Sequence, residues 1–233
     1  MRIAIISDIH GNYAALEAVL RDLDRAKPDR VINLGDQIFK GPQPAECLDA
    51  LEQLGATTIR GNTDEFFAKS APKPQLQPLL DYALRACGDR DLSALSRLPF
   101  SHTEPLPGGG ELLCVHGSPR NIEEYLFPWT EEQEPGVFVG VRAGFITCGH
   151  QHVAYQFRTE SGKLILSTGS VGIPYDGDPR PAYTLLELDG DRLSATSIRI
   201  DYDRRALLAL IESRDGFPGR DRYMQEVQTG RPA

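Results

Sequence analysis

Sulfur, positive charge and long apolar runs are all scarce in this chain. Its four cysteines, Cys47, Cys87, Cys114 and Cys148, stand far apart among 233 residues. They lack the short paired spacing of a disulfide framework or a sulfur-rich zinc site. They read as reduced thiols of a cytoplasmic protein, and none sits in a recognisable nucleophile setting. Lysine and arginine number 25 against 33 acidic residues, a net charge of −8, which argues against a general nucleic-acid or anionic-membrane binder. A small anionic substrate stays open, provided bound cations supply local positive charge. No apolar run reaches membrane-spanning length, and the opening residues lack the charged-then-apolar layout of a secretory signal. Also missing are a glycine-rich phosphate loop, a repeat at fixed period and a convincing linker. The expectation is one domain over 1–217 with a polar tail over 218–233, poorly ordered unless docked.

What is present begins with Ile3–Ile6, a β-branched apolar run that reads as a strand buried on both faces. It ends in Ser7-Asp8-Ile9-His10-Gly11-Asn12. Asp8 and His10 are two apart and project to the same side of extended backbone. Taken alone, the pair reads as well as a helix cap and a surface histidine. Tyr13–Ala26 carries Leu16, Val19, Leu20 and Leu23 at helical spacing, and Val31–Leu34 is a second buried strand ending in Gly35-Asp36. Strand, helix and strand in this length predict a parallel βαβ unit, which brings Asp36 beside Asp8 and His10. A helix over Pro44–Leu54 follows, then a strand over Thr57–Arg60 ending in Gly61-Asn62, a proline-rich loop, and two short helices over 79–86 and 91–98.

From residue 100 the pattern turns antiparallel. A hairpin pairs Phe100–Leu106 with Glu111–Val115 and ends in His116. Asn121–Pro135, with Tyr125, Phe127 and the only tryptophan, Trp129, reads as an irregular flap near a site or as a surface loop. Phe145–Cys148 ends in Gly149-His150-Gln151-His152. Strands at 155–157, 164–167, 182–188 and 193–201 and a helix over 205–212 complete the chain.

Four of the five histidines (His10, His116, His150, His152) directly follow an apolar strand; His102 does not and reads as structural. With Asp8, Asp36 and Asn62 they make seven oxygen or imidazole donors at five strand ends. One ion needs about four; two ions sharing a carboxylate would use all seven. Nitrogen and oxygen donors without sulfur suit Mn, Fe, Zn or similar ions.

Asp8-Ile9-His10, Gly35-Asp36, Gly61-Asn62, His116 and Gly149-His150-Gln151-His152, in this order, resemble the signature of the calcineurin-like metallophosphoesterases over roughly residues 1–200. Gly41–Cys47 and Asp176–Arg180 are similar to a bacterial and archaeal phosphodiesterase branch. The resemblance implies two mixed β-sheets packed as a sandwich and flanked by helices, a four-layer αββα fold. It implies two divalent transition-metal ions, Mn foremost, with Fe, Zn, Ni or Co as alternatives. Asp8, His10 and His152 would hold one and Asn62, His116 and His150 the other, with Asp36 bridging; Asp36, Asn62 and His116 count also as catalytic. A hydroxide between the ions would attack phosphorus, hydrolysing a small phosphorylated substrate.

Many members have histidine after Gly-Asn, credited with protonating the leaving group; here Thr63 stands there. Diesters and good leaving groups need such an acid least, so a phosphodiesterase is favoured over a phosphomonoesterase, with a non-catalytic protein-binding scaffold as a third reading. Asn12, Lys40 and Arg120 are candidates for holding substrate phosphate. Asn12 serves equally as an N-cap, and Arg120 as the partner of Glu123 or Glu124. Asp64 reads as a site-orienting carboxylate or a helix start. Self-association is compatible with all of this.

Overall fold

A computed structural model describes every residue except 70, 72, 131–135 and 191. The first sheet has the order β10 (Arg192–Arg199), β9 (Ala182–Asp189), β1 (Arg2–Ile6), β2 (Arg30–Asn33), β3 (Thr57–Thr58). β1, β2 and β3 run parallel, with Ile6 opposite Asn33 and Asn33 opposite Thr58, whereas β9 is antiparallel to β1. The second sheet has the order β4 (Ser101–Pro105), β5 (Glu111–Val115), β6 (Phe145–Cys148), β8 (Leu164–Thr168), β7 (Ala154–Arg158). There β5, β6 and β8 are parallel and the two edges antiparallel. This is the expected pair of mixed sheets, and the hairpin and βαβ unit form where the pattern placed them.

Period-two side-chain alternation sets the layers. Ile3 and Ile5 of β1 pack with Ile32, Leu112, Leu166 and Leu186 into a core between the sheets. Ala4 and Ile6 point the other way, onto Leu16, Val19 and Leu23 of α1 (Tyr13–Ala26) and Cys47, Leu48 and Leu51 of α2 (Pro44–Leu54). α3 (Gln77–Cys87) and the short α4 (Ser93–Ser96) extend that helical layer. On the outer face of the second sheet, Leu126, Val137 and Phe138 cover Val115, Ile146 and Ile165.

Two differences from the sequence expectation have plain causes. The third strand is two residues long rather than four, because the Arg60 amide leaves the sheet to donate to Pro99 O. Residues 131–135 of the expected flap lie outside the described residues. The polar stretch from 218 is no loose tail: after α5 (Arg204–Ser213) it forms α6 (Arg220–Thr229), held between left-handed Gly219 and Gly230. Tyr223 and Val227 sit a turn apart on the buried face and pack with Leu207, Ile211, Phe217 and Ile173. Burial of Val227 contributes roughly 1.5–3 kcal/mol, and the Tyr223 ring adds apolar contact beside it, so a helix whose average composition is polar docks by this face.

Candidate metal centre

The parallel strands deliver their carboxyl ends to one edge of the sandwich, where open α/β sheets carry ligands. The backbone there is bent to a degree rare elsewhere. Asp8, His10, Asp36, His150 and His152 all have left-handed φ, between 46° and 66°. Such conformations cost non-glycine residues about 1–3 kcal/mol and persist only where neighbours over-determine them. Here the neighbours do: the Asp8, His10 and Gly11 amides donate to the carbonyls of Gly35, Asp36 and Gln37. The Val171 and Gly172 amides donate to Ser7 O and Asp8 O, tying in the loop after β8. Two glycines are required by close approach. A Cβ on Gly61 would lie 2.1 Å from Asp36 Oδ1, and one on Gly149 would lie 2.1 Å from Ser7 Oγ and 2.7 Å from Asp8 Oδ2.

Main-chain carbonyls fix the imidazoles. Nδ1 of His10 lies 3.0 Å from Phe39 O, Nδ1 of His116 2.8 Å from Leu34 O, and Nδ1 of His152 2.7 Å from Ile173 O. A carbonyl only accepts, so each Nδ1 carries the proton and each Nε2 presents a lone pair. His150 is held the other way round, Nε2 donating to Glu123 O at 3.1 Å, which leaves Nδ1 bare. The bare atoms converge. His10 Nε2 and His152 Nε2 face each other at 3.1 Å, and Asp8 Oδ1 is 3.2 Å from the latter. Asp36 spans the centre: Oδ2 is 3.4 Å from His10 Nε2, and Oδ1 is 3.6 Å from His116 Nε2. Asn62 Oδ1 lies 3.0 Å from His116 Nε2, and the His150 ring stands 5.2 Å from that of His116. Opposed lone pairs at such distances are repulsive unless a cation lies among them.

Electrostatics say the same. Asp8 is fully buried, and its Oδ1 has no hydrogen-bond donor, although a buried carboxylate oxygen without one is costly. Burial works to raise its pKa, but His152, then His116 and His10, hold the carboxyl well below the usual range. Asp36 goes the opposite way, to about 6, through burial and the charge of Asp8. Burial, then His152 and Lys40, keeps His10 neutral, and burial and His116 push His150 down. Asp8, His10 and His152 offer ligand atoms within 4.8 Å of one another, and so do Asp8, Asp36 and His116. Neutral nitrogens, an ionised carboxylate and an acceptor amide fit divalent transition ions. The free cysteines are all buried, and burial raises the Cys87 thiol to about 11 and Cys148 to about 12, so none is a nucleophile.

The substrate-holding candidates fare differently. Asn12 is fully buried: Oδ1 accepts from the Ala15 amide at 3.1 Å, and Nδ2 donates to Gly172 O at 2.7 Å. The N-cap of α1, its alternative role, is thus present in the structure. Arg120 reaches Glu124, with Nε 3.1 Å from both carboxylate oxygens, as its alternative role foresaw. Lys40 lies beside the site: Nζ donates to the Tyr175 hydroxyl at 2.8 Å and sits 3.6 Å from Glu226 of α6. The Tyr175 ring stacks on His152, centroids 4.6 Å apart. Sequence reasoning passed over Tyr175 and Glu226; the one signal was that Tyr175 abuts the Asp176–Arg180 motif. Asp64 has a defined task, its carboxylate accepting from the amides of Asp36, Gln37 and Gly61 and binding two site loops together. His102 pairs with Glu104, a structural role.

Fold and donor set together define a layered α/β protein with a metal-binding cradle at its strand ends. Residues 1–191 match the model of the calcineurin-like phosphoesterase superfamily domain, and the chain belongs to that family, whose members are metal-dependent hydrolases acting on phosphate esters. Along 91% of its length it is 26% identical over 238 residues to the uncharacterized protein MJ0912 of Methanocaldococcus jannaschii, covering 93% of that protein. The crystal structure of a metallophosphoesterase from Sphaerobacter thermophilus superposes with a TM-score of 0.80 at 29% identity, over 99% of this chain and all of that one. Half of the chain is 36% identical over 124 residues to a symmetrical bis(5'-nucleosyl)-tetraphosphatase of Paracidovorax citrulli, covering 44% of that enzyme.

Proposed function

We propose that the cradle holds two divalent transition-metal ions, manganese foremost, and that the protein hydrolyses small phosphodiesters. Asp8, His10 and His152 would hold one ion and Asn62, His116 and His150 the other, with Asp36 between them. The observation that carries this reading is Asp36, whose two oxygens face His10 on one side and His116 on the other. When bound, such ions lower the pKa of water towards about 7 and offset charge on phosphoryl oxygens. The chain's own contribution is orientation. Four main-chain carbonyls fix the tautomer of each imidazole, and Asp64 keeps the loops bearing Asp36 and Asn62 in contact. Thr63, whose amide donates to Asp36 Oδ1 at 2.8 Å, brings no acid for a leaving group. That favours esters whose departing oxygen needs no proton, activated diesters foremost.

The test compares turnover of an aryl phosphodiester with that of its monoester under excess Mn²⁺, alongside metal analysis of the purified protein. We expect a preference for the diester and two ions per chain; a clear preference for the monoester overturns the substrate assignment. Less than one ion per chain, with no gain on adding Mn²⁺, favours a protein-binding scaffold instead. Asp36→Asn should cost more activity than any other donor change, and an equal loss from Asn62→Ala would contradict the bridging role.

A further inference from the structure

An aromatic ladder leaves the metal centre and ends in solvent. The ring of Tyr125 stacks on His150, centroids 4.7 Å apart and planes 19° apart. Phe127 follows at 5.6 Å from Tyr125, and Trp129 stacks on Phe127 at 5.0 Å and 19°. Every second residue of the segment contributes a rung: the chain passes from Tyr125 to Phe127 and then turns at Pro128–Trp129, the Thr130 amide donating to Phe127 O at 2.9 Å, while Leu126, fully buried, anchors the segment against the second sheet. The segment is built, not draped. The Phe127 amide donates to Thr130 Oγ1 at 2.7 Å, Thr130 Oγ1 donates to Tyr125 O at 3.2 Å, and the Tyr155 hydroxyl donates to Leu126 O. Yet Tyr125 and Trp129 are about half exposed, 49% and 50%. They are two of only four large hydrophobic side chains exposed among the described residues, and both belong to this ladder.

We propose that Tyr125 and Trp129 form a stacking platform for the nucleobase of a nucleoside phosphate whose phosphorus lies at the metal centre, so that the preferred substrates are nucleoside esters. This rests on the phosphoesterase reading above and adds the substrate class. Partly exposed aromatic rings strung outwards from a candidate metal donor suit a flat π-faced group attached to the reacting phosphate. From Tyr125 to Trp129 the ladder spans only two ring-to-ring steps, room for one or two bases. The net charge of −8 supplies no basic track for a polynucleotide. The occupant is therefore a mononucleoside or dinucleoside ester rather than a nucleic-acid strand.

Trp129 is the sole tryptophan and so reports on its own contact. Titration with AMP should quench its fluorescence saturably, whereas ribose 5-phosphate, which carries the phosphate without a base, should leave it unchanged. In turnover, the p-nitrophenyl ester of a nucleoside monophosphate should be preferred over methyl p-nitrophenyl phosphate, which shares its leaving group. Trp129→Ala should cut that preference about tenfold, with Trp129→Tyr retaining most of it. Equal quenching by AMP and ribose 5-phosphate, or an unchanged preference in Trp129→Ala, overturns the platform. So does fluorescence that shifts on diluting the protein without nucleotide, which marks the ladder as a contact between copies of the chain. Quenching by AMP without turnover of either ester upholds the platform and sinks the phosphoesterase reading.

Discussion

Five candidate metal donors hold left-handed backbone, and at His150 that strain can be read out separately from chemistry. Its φ of 66° is one that glycine adopts freely and alanine does not. In chelator-treated protein, His150→Gly should therefore be more stable than His150→Ala by about 1 kcal/mol, although both remove the imidazole. Thermal melting of the two variants checks this, and equal midpoints would mean the turn is not strained. The candidate donors were legible in the sequence because nearly all stand at the end of an apolar strand. Their backbone was not: no propensity assigns a left-handed Asp or His, which only contacts between loops impose. Asn12 was open for the same reason, since an asparagine before a helix looks alike whether it caps the helix or meets a ligand. The bond to Gly172, 160 positions away, ties that asparagine to the loop after β8 and has no counterpart in the local sequence.

At the scale of elements, α6 shows where pattern reading runs out. Tyr223 and Val227 mark its buried face, but the residue between them that matters is Glu226, 1% exposed and lying between Lys40 and Arg222. A glutamate among polar neighbours carries no sign of burial. Removing its charge strands the largely covered Lys40 ammonium, whereas the Arg222 side chain, 63% exposed, keeps its water. We expect Glu226→Gln to destabilise the fold by on the order of 2 kcal/mol, and Arg222→Gln by less than about 0.5 kcal/mol. Urea denaturation of the two variants measures both, and equal losses would place the important contact on Arg222. β3 is the converse case: the strand was visible as β-branched Thr57-Thr58-Ile59, but it is cut short where the Arg60 amide leaves the sheet for Pro99 O, distant in sequence.

For the whole molecule, the centre makes stability depend on pH and metal together. His10 and His150 lie below the ordinary imidazole value of 6.5, with burial the main cause. The folded chain thus gives up these protons sooner than the unfolded one. Their contribution is complete above 6.5 and is lost as pH falls below it, where the unfolded chain takes up protons that the folded chain does not. Asp36, raised to about 6, and Asp64, raised to about 7, act in the opposite sense: each costs the fold stability as pH rises from about 3.8 towards those values. A divalent cation removes the cost at Asp36 and needs the imidazoles neutral. Added Mn²⁺ should consequently raise the melting temperature more at pH 8 than at pH 5.5. Differential scanning calorimetry at the two values checks this, and an equal rise would exclude these donors. The layered fold was readable from strand and helix periods. The coupling of charge to burial was not, because it exists only once five strand ends share one small volume.

The family model ends at residue 191, yet Glu226, which holds Lys40 beside the centre, comes from beyond it. The candidate metal donors and the group that faces Lys40 thus come from different segments of the chain. A change of residue in that last helix would therefore alter the surroundings of Lys40 while leaving every candidate metal donor in place.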